Sequence, residues 1–150
     1  MIPRFWARLR RFWAATRRLR PVTATLWETV GFQAARRFRP AQSWPFRFQT
    51  AGRPFWVRPA DACALEEVLL NHEYGFVAEL VTRPGPPPVV IDAGANIGLF
   101  SLVILEARPD AEVHSLEPGA PAFAVLQRTW AGRRCPNWHI HPLALWREAG

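Results

Sequence analysis

An α/β fold built on a parallel sheet is predicted by three features of this sequence. The apolar run Val89–Ile91 ends in Asp92 and passes into a tight turn holding Gly94 and Gly98. A helical pattern, Leu99–Ala107, follows at once. Nineteen residues beyond Gly98 a second apolar strand ends in Glu117. Strand, glycine turn, helix and acid-terminated strand form the unit with which open parallel sheets build a crevice at the carboxyl ends of their strands.

The elements fall into three regions, 1–40, 41–88 and 89–150. The first carries ten arginines and one acid, Glu28, whereas residues 41–150 carry nine arginines and eleven acids, so the net +7 of this 150-residue chain comes from its amino-terminal end. No lysine occurs. Ile2, Phe5, Trp6, Leu9, Phe12 and Trp13 fall at helical spacing, with Arg4, Arg8, Arg11, Arg17 and Arg18 largely opposite, which predicts a basic amphipathic helix. Such a helix covers a domain face or a partner, lies on an anionic membrane surface, or touches nucleic acid. Aliphatic arginine stems pack well on apolar surfaces, so the first reading leads, with membrane-surface contact through residues 1–20 next and no nucleic acid expected. Charges interrupt every apolar run before a signal-peptide core forms, and no stretch approaches the ~20 apolar residues of a membrane span. A cytoplasmic location, peripheral to a membrane if the helix binds one, is the expectation.

After Pro21, helix is expected over 21–29 and 30–38, ending before Pro40. Phe46–Gln49 and Phe55–Arg58 alternate apolar and polar residues around Ala51-Gly52, the pattern of a β-hairpin. Ala62–Asn71 reads as a helix with Asp61 as its N-cap, and Phe76–Val81 as a shorter one. Pro84-Gly85-Pro86-Pro87-Pro88 is a stiff connector into the first sheet strand. Three sheet strands are expected, Val89–Asp92, Glu112–Glu117 and Trp138–His141.

The turn itself suggests a ligand. Glycine allows positive φ and lets a ligand approach the main chain. The spacing is Gly-x-x-x-Gly, with Asn96 where a dinucleotide fingerprint carries its middle glycine. Asp92 just ahead of the turn repels a pyrophosphate and attracts an ammonium. A ligand with an amino-acid end and a ribose fits better: Asp92 near the ammonium, turn amides on the carboxylate, Glu117 on both ribose hydroxyls. S-adenosylmethionine has these parts.

Val90-Ile-Asp-Ala-Gly-Ala-Asn-Ile-Gly-Leu-Phe-Ser101, then Leu116-Glu117-Pro118 and a helix with Phe123 and Leu126, resembles the FkbM-like family of S-adenosylmethionine-dependent methyltransferases. Arg58-Pro59-Ala60-Asp61, His72-Glu73-Tyr74, Asn137-Trp138-His139-Ile140 and Pro142-Leu143-Ala144 extend the similarity from about Phe55 to Gly150. The resemblance implies a Rossmann-like class I methyltransferase sheet and methyl transfer to a hydroxyl oxygen of a sugar or secondary metabolite. It implies that Asp92, Gly94, Ala95, Asn96 and Gly98 line the methionine end of the cofactor. Glu117 would bind the ribose, Leu116 and Pro118 would lie beside the adenine, Ala144 would approach its edge, and Glu73 and Tyr74 would close the site. Thr129-Trp130 departs from the asparagine usual in the family at the end of the second helix. Only three sheet strands are expected, so the fold reads as truncated, with the acceptor pocket and catalytic base outside it.

Two further readings compete. One is a remnant that neither binds cofactor nor turns over, kept as an interaction module through its basic helix or not functional at all; whether the chain forms an oligomer is left open. The other is a nicotinamide-dependent oxidoreductase, which the glycine spacing and Asp92 disfavour. Cys63 and Cys135 form no metal-binding pattern and are expected as free thiols. His139 and His141 share a strand face, but with no acid or cysteine near in sequence no metal site is expected. Glu66 and Glu67 read as a solvated helix face.

Overall fold

The structure is a computed structural model that describes residues 14–19, 22–23, 25–39 and 44–145. The amphipathic stripe over 2–13 lies outside the described residues. Residues 14–19 are helical, with Leu19 buried and Arg17 and Arg18 exposed. The first full helix, α1 (Leu26–Phe38), replaces the two segments expected after Pro21. Thr25 sets its start through a capping box, its hydroxyl accepting from the Glu28 amide at 3.1 Å while the Glu28 carboxylate accepts from the Thr25 amide at 3.0 Å.

Strands β1 (Phe46–Thr50) and β2 (Arg53–Val57) form the expected antiparallel hairpin, turning at Ala51 and Gly52, both at positive φ. A 3-10 turn (Pro59–Asp61) leads into α2 (Ala62–Leu65), which widens into a π-helical turn (Glu66–Leu70). Asp61 holds the N-cap position expected of it, but its side chain does not make the cap bond. Its carboxylate accepts from Arg58 Nε at 2.7 Å and Nη2 at 2.8 Å, and it gives no cap hydrogen bond to α2. A guanidinium three residues earlier offers two charge-assisted bonds, stronger than the single amide bond of a cap. Helix α3 (Gly75–Val81) precedes the proline connector, whose backbone Arg108 holds through the carbonyls of Arg83 (3.0 Å) and Gly85 (2.7 Å).

The second half alternates β3 (Val89–Ala93), α4 (Leu99–Ala107), β4 (Glu112–Leu116), α5 (Ala120–Arg133) and β5 (Trp138–His141). The three strands are parallel in the order β3-β4-β5, with Val89 opposite Glu112, Ile91 opposite His114, and His114 opposite His139. Pro109 ends α4, because the residue before proline avoids helical φ/ψ, and Pro121 sits in the first turn of α5 where its missing N–H costs nothing.

Side chains alternate across the sheet. One face presents Val113, Ser115 and Trp138, all buried, to the helices. The other presents Val89, Ile91, Glu112, His114, His139 and His141, and among the described residues it is open: Val89 is 65% and Ile91 60% exposed.

The core runs from the sheet through α4 and α5 to the hairpin. Phe32, Phe48 and Phe55 are fully buried, with Phe32 and Phe48 edge-to-face at 5.0 Å. Each such side chain contributes roughly 1.5–3 kcal/mol by leaving water. The hairpin lies on α5. There Trp56 donates its amide to Thr129 Oγ1 at 3.2 Å, and buried Arg133 donates to the Pro54 carbonyl at 3.0 Å and to Glu106 at 2.9 Å. Arg36–Glu66 and Arg18–Asn71 contacts tie the amino-terminal region to the π turn. No helix of the described residues is long and apolar enough to cross a membrane.

Candidate functional site

The β3–α4 turn is fixed by the strand beside it. The amides of Gly94 and Ala95 both donate to the Leu116 carbonyl, at 2.9 and 3.0 Å. The Asn96 amide donates to Glu117 Oε2 at 2.8 Å, and the Gly119 amide to Oε1 of the same carboxylate at 2.7 Å. Two residues 21 positions apart are thus in direct contact at the carboxyl ends of adjacent strands.

This corrects one expectation. The amides of Gly94, Ala95, Asn96 and Gly98 all have acceptors inside the protein, Gly98 donating to the Ala95 carbonyl at 2.8 Å. They are committed to shaping the turn, so a ligand carboxylate finds other donors. The first-turn amides of α4 have no partner within their own helix and carry its positive end.

The two glycines differ in purpose. Gly94, at φ +80°, has nothing within 4 Å of where a Cβ would stand, leaving room for a ligand beside the main chain. Gly98, at φ +85°, would place a Cβ 2.5 Å from Leu126 Cδ1 and 3.1 Å from the Trp138 ring. Its absent side chain lets α4 close onto α5 and β5.

Asp92 faces the helices and is 8% exposed. Its Oδ2 accepts from Ser101 Oγ at 2.6 Å. Ser101 Oγ in turn shares a 2.6 Å hydrogen bond with Ser115 Oγ, which accepts from Trp138 Nε1 at 2.8 Å. Burial pushes the Asp92 carboxyl up from its ordinary value, hydrogen bonds from the Ser101 hydroxyl and amide pull it partly back, and the Glu117 charge adds to the rise. Arg58 also belongs to this neighbourhood. Its bond to Asp61, helped by the charges of Asp61 and Glu117 and opposed by burial, holds the guanidinium more firmly protonated than usual.

A cavity of about 500 Å³ opens at the turn. Its wall includes Asp92, Gly94, Ala95, Asn96 and Tyr74 from the expected set. Glu117 stands behind Asn96, outside that wall. Gly98 is buried in packing, Glu73 is held by its amide on the Glu67 carbonyl at 3.2 Å, and Ala144 is exposed on the coil after β5. Pro118 is not part of the wall either.

The far wall was missed from the sequence. Ala64, Glu67 and Val68 face the cavity, and Phe100 stands edge-to-face with Tyr74 at 5.0 Å. The spacing 64, 67, 68 puts three residues on one helix face, a signal that was present but pointed nowhere without the fold. Glu67, read as part of a solvated face, therefore brings a carboxylate to the cavity. Thr129 and Trp130, the departure from the family pattern, are structural: Thr129 anchors the hairpin, and Trp130 Nε1 donates to the Trp138 carbonyl at 2.7 Å.

No family model matches the chain. Over 85 residues it is 42% identical to AMB antimetabolite synthetase AmbE of Pseudomonas aeruginosa, an overlap of 54% of this chain and 4% of that protein. Over 66 residues it is 38% identical to methyltransferase sdnD of Sordaria araneosa, an overlap of 44% of this chain and 24% of that protein. The chain thus spans under a quarter of either curated relative. Among solved structures, TYW2 of P. horikoshii in complex with MeSAdo superposes with a TM-score of 0.51 at 16% identity, covering 73% of this chain and 39% of that one. At that identity the likeness is one of fold, over the part of that protein which the match covers.

Proposed function

We propose that the chain binds S-adenosylmethionine at the β3–α4 turn and is part of a methyltransferase acting on a hydroxyl oxygen of a sugar or secondary metabolite, in the manner of the FkbM-like family. The observation that carries this reading is the Glu117 carboxylate docked on the Asn96 amide at the mouth of the sheet. Each carboxylate oxygen keeps a lone pair beyond its amide bond, enough to accept a ribose hydroxyl. The space over Gly94 admits a ligand against the main chain. Asp92 and Glu67 both line the cavity and offer negative charge to an ammonium. The similarity to a protein named a methyltransferase and the shared fold with a MeSAdo-bound protein support the same ligand class. Bound there, S-adenosylmethionine supplies an electrophilic methyl group. This chain's residues bind and orient it, while the acceptor and the group that takes its proton are left to the whole protein.

Calorimetric titration with S-adenosylhomocysteine, with NAD as control, tests the proposal. Binding of the first alone is expected. Glu117→Ala should weaken it by about 1–3 kcal/mol, and Glu117→Gln by less, since the amide oxygen still accepts. Unchanged affinity in Glu117→Ala removes the carboxylate from the site. Binding of NAD alone returns the oxidoreductase reading. Binding of neither favours the non-catalytic remnant, a reading helped by one observation: the turn amides are already satisfied without a ligand.

A further inference from the structure

The open sheet face gathers ionisable side chains that the cavity does not use. Parallel register sets Glu112, His114 and His139 side by side, although Glu112 and His139 are remote in sequence. An acid therefore does accompany the histidine pair. Glu112 Oε1 lies 3.1 Å from His114 Nε2 and 3.8 Å from His139 Nε2. One ligand atom from each of the three residues falls within 4.8 Å of the others. The rings of His114 and His139 stack at 4.8 Å. His141, two residues on, stacks on His114 at 5.5 Å, and its Nε2 lies 3.2 Å from His114 Nδ1.

We propose that Glu112, His114 and His139 form a binding site for a divalent transition-metal cation, with Zn²⁺ the best match. Two imidazoles and a carboxylate are a borderline-soft donor set that suits zinc and its neighbours and does not suit calcium or magnesium. Zinc bonds of about 2.0–2.2 Å place tetrahedral ligands roughly 3.3–3.6 Å apart. The two separations from Glu112, 3.1 and 3.8 Å, bracket that edge, and all three ligand atoms lie within 4.8 Å of one another, so closing the set onto one ion asks for side-chain rotation that draws the two imidazoles in. His141 is the positioning residue. When His114 Nε2 turns to the metal, its Nδ1–H donates to His141 Nε2, fixing the tautomer as outer hydrogen bonds do in metal centres. Glu112 and His139 also line a cleft with Pro87, Asp110 and Asn137, so an ion reaches the site from solvent and a water completes its coordination. Protons displaced from the imidazoles leave to solvent.

The test is calorimetric titration of the metal-free full chain with Zn²⁺, followed by the visible spectrum of the Co²⁺-loaded protein. One zinc per chain is expected, in a nitrogen–oxygen environment without a thiolate-to-cobalt band. His114→Ala and His139→Ala should each weaken binding at least tenfold. His141→Ala should weaken it less and alter the cobalt spectrum, and His141→Gln should restore both by supplying an acceptor. All these side chains are at least partly exposed, so parent and variants compared metal-free in chelator should unfold at the same midpoint. Zinc bound as tightly by the His114→Ala/His139→Ala double variant overturns the proposal. So does a thiolate band, which assigns the ion to Cys63 or Cys135. Neither result depends on S-adenosylhomocysteine binding.

Discussion

Gly98 and Gly94 share a positive φ, +85° and +80°, in opposite surroundings, so alanine at each separates two costs. Positive φ alone costs about 1–2 kcal/mol for an L residue, which is the expectation for Gly94→Ala. Gly98→Ala adds overpacking against Leu126 and Trp138, about 1–3 kcal/mol more. Urea unfolding of the two variants should show that difference, and equal losses would mean that the packing yields. Asp92 gives a second prediction. Its carboxyl titrates above the ordinary value in the folded chain, so the folded state holds its proton more tightly than the unfolded state. Stability from this group is then greatest at low pH and falls as pH rises from about 4 through the raised folded value. Asp92→Asn keeps an acceptor for Ser101 and removes the titration. Relative to the variant, the parent chain should lose stability over that rise, and parallel urea midpoints from about pH 4 to about pH 7 would count against it.

At the scale of elements, the contact of the hairpin with α5 turns on Arg133. Its guanidinium is buried and bonds to Pro54, Glu106 and Thr50 together. Arg133→Met keeps the stem and removes the charge, and should cost about 2–3 kcal/mol in a urea titration, since bonds to charged groups are worth more than neutral ones. A loss within error would mean that packing of Trp56 on the helix suffices. The elements differ in how far the residues announce them. The strands of the sheet and α4 are legible because their signals are local: apolar runs closed by Asp92 and Glu117, a helix opened by Gly98 and stopped at Pro109. The nearness of Glu117 to the turn is legible for the same reason, since strand and turn chemistry fix where both ends lie, but its bond to the Asn96 amide is not. Asp61 is legible as the cap position, but not the use of its carboxylate, which goes to the two donors of a neighbouring arginine instead of to a helix amide. The cavity wall at Ala64 and Glu67 and the histidine cluster are not legible, because only tertiary placement and strand register bring those residues together.

Over the whole molecule, charge is divided unevenly. The +9 of residues 1–40 faces a remainder of −2, so electrostatic attraction to an anionic surface belongs to one end. Thr16 and Leu19 are buried, so removing residues 1–20 would harm the fold along with any membrane contact. Charge reversal at Arg8 and Arg11 leaves Thr16 and Leu19 in the chain. If residues 1–20 contact membranes, co-sedimentation with anionic vesicles should weaken by at least about 1 kcal/mol per arginine, and neutral vesicles should show no difference. Equal partitioning of parent and variant on anionic vesicles would reject the contact. The seating of the hairpin on α5 has a consequence of its own. Peptide-bond continuity across 84–88 is not what joins the halves, because Trp56, Arg133 and Arg108 grip across that joint from both sides. A protease cutting the proline stretch would leave two pieces that travel together as one particle until a denaturant parts them.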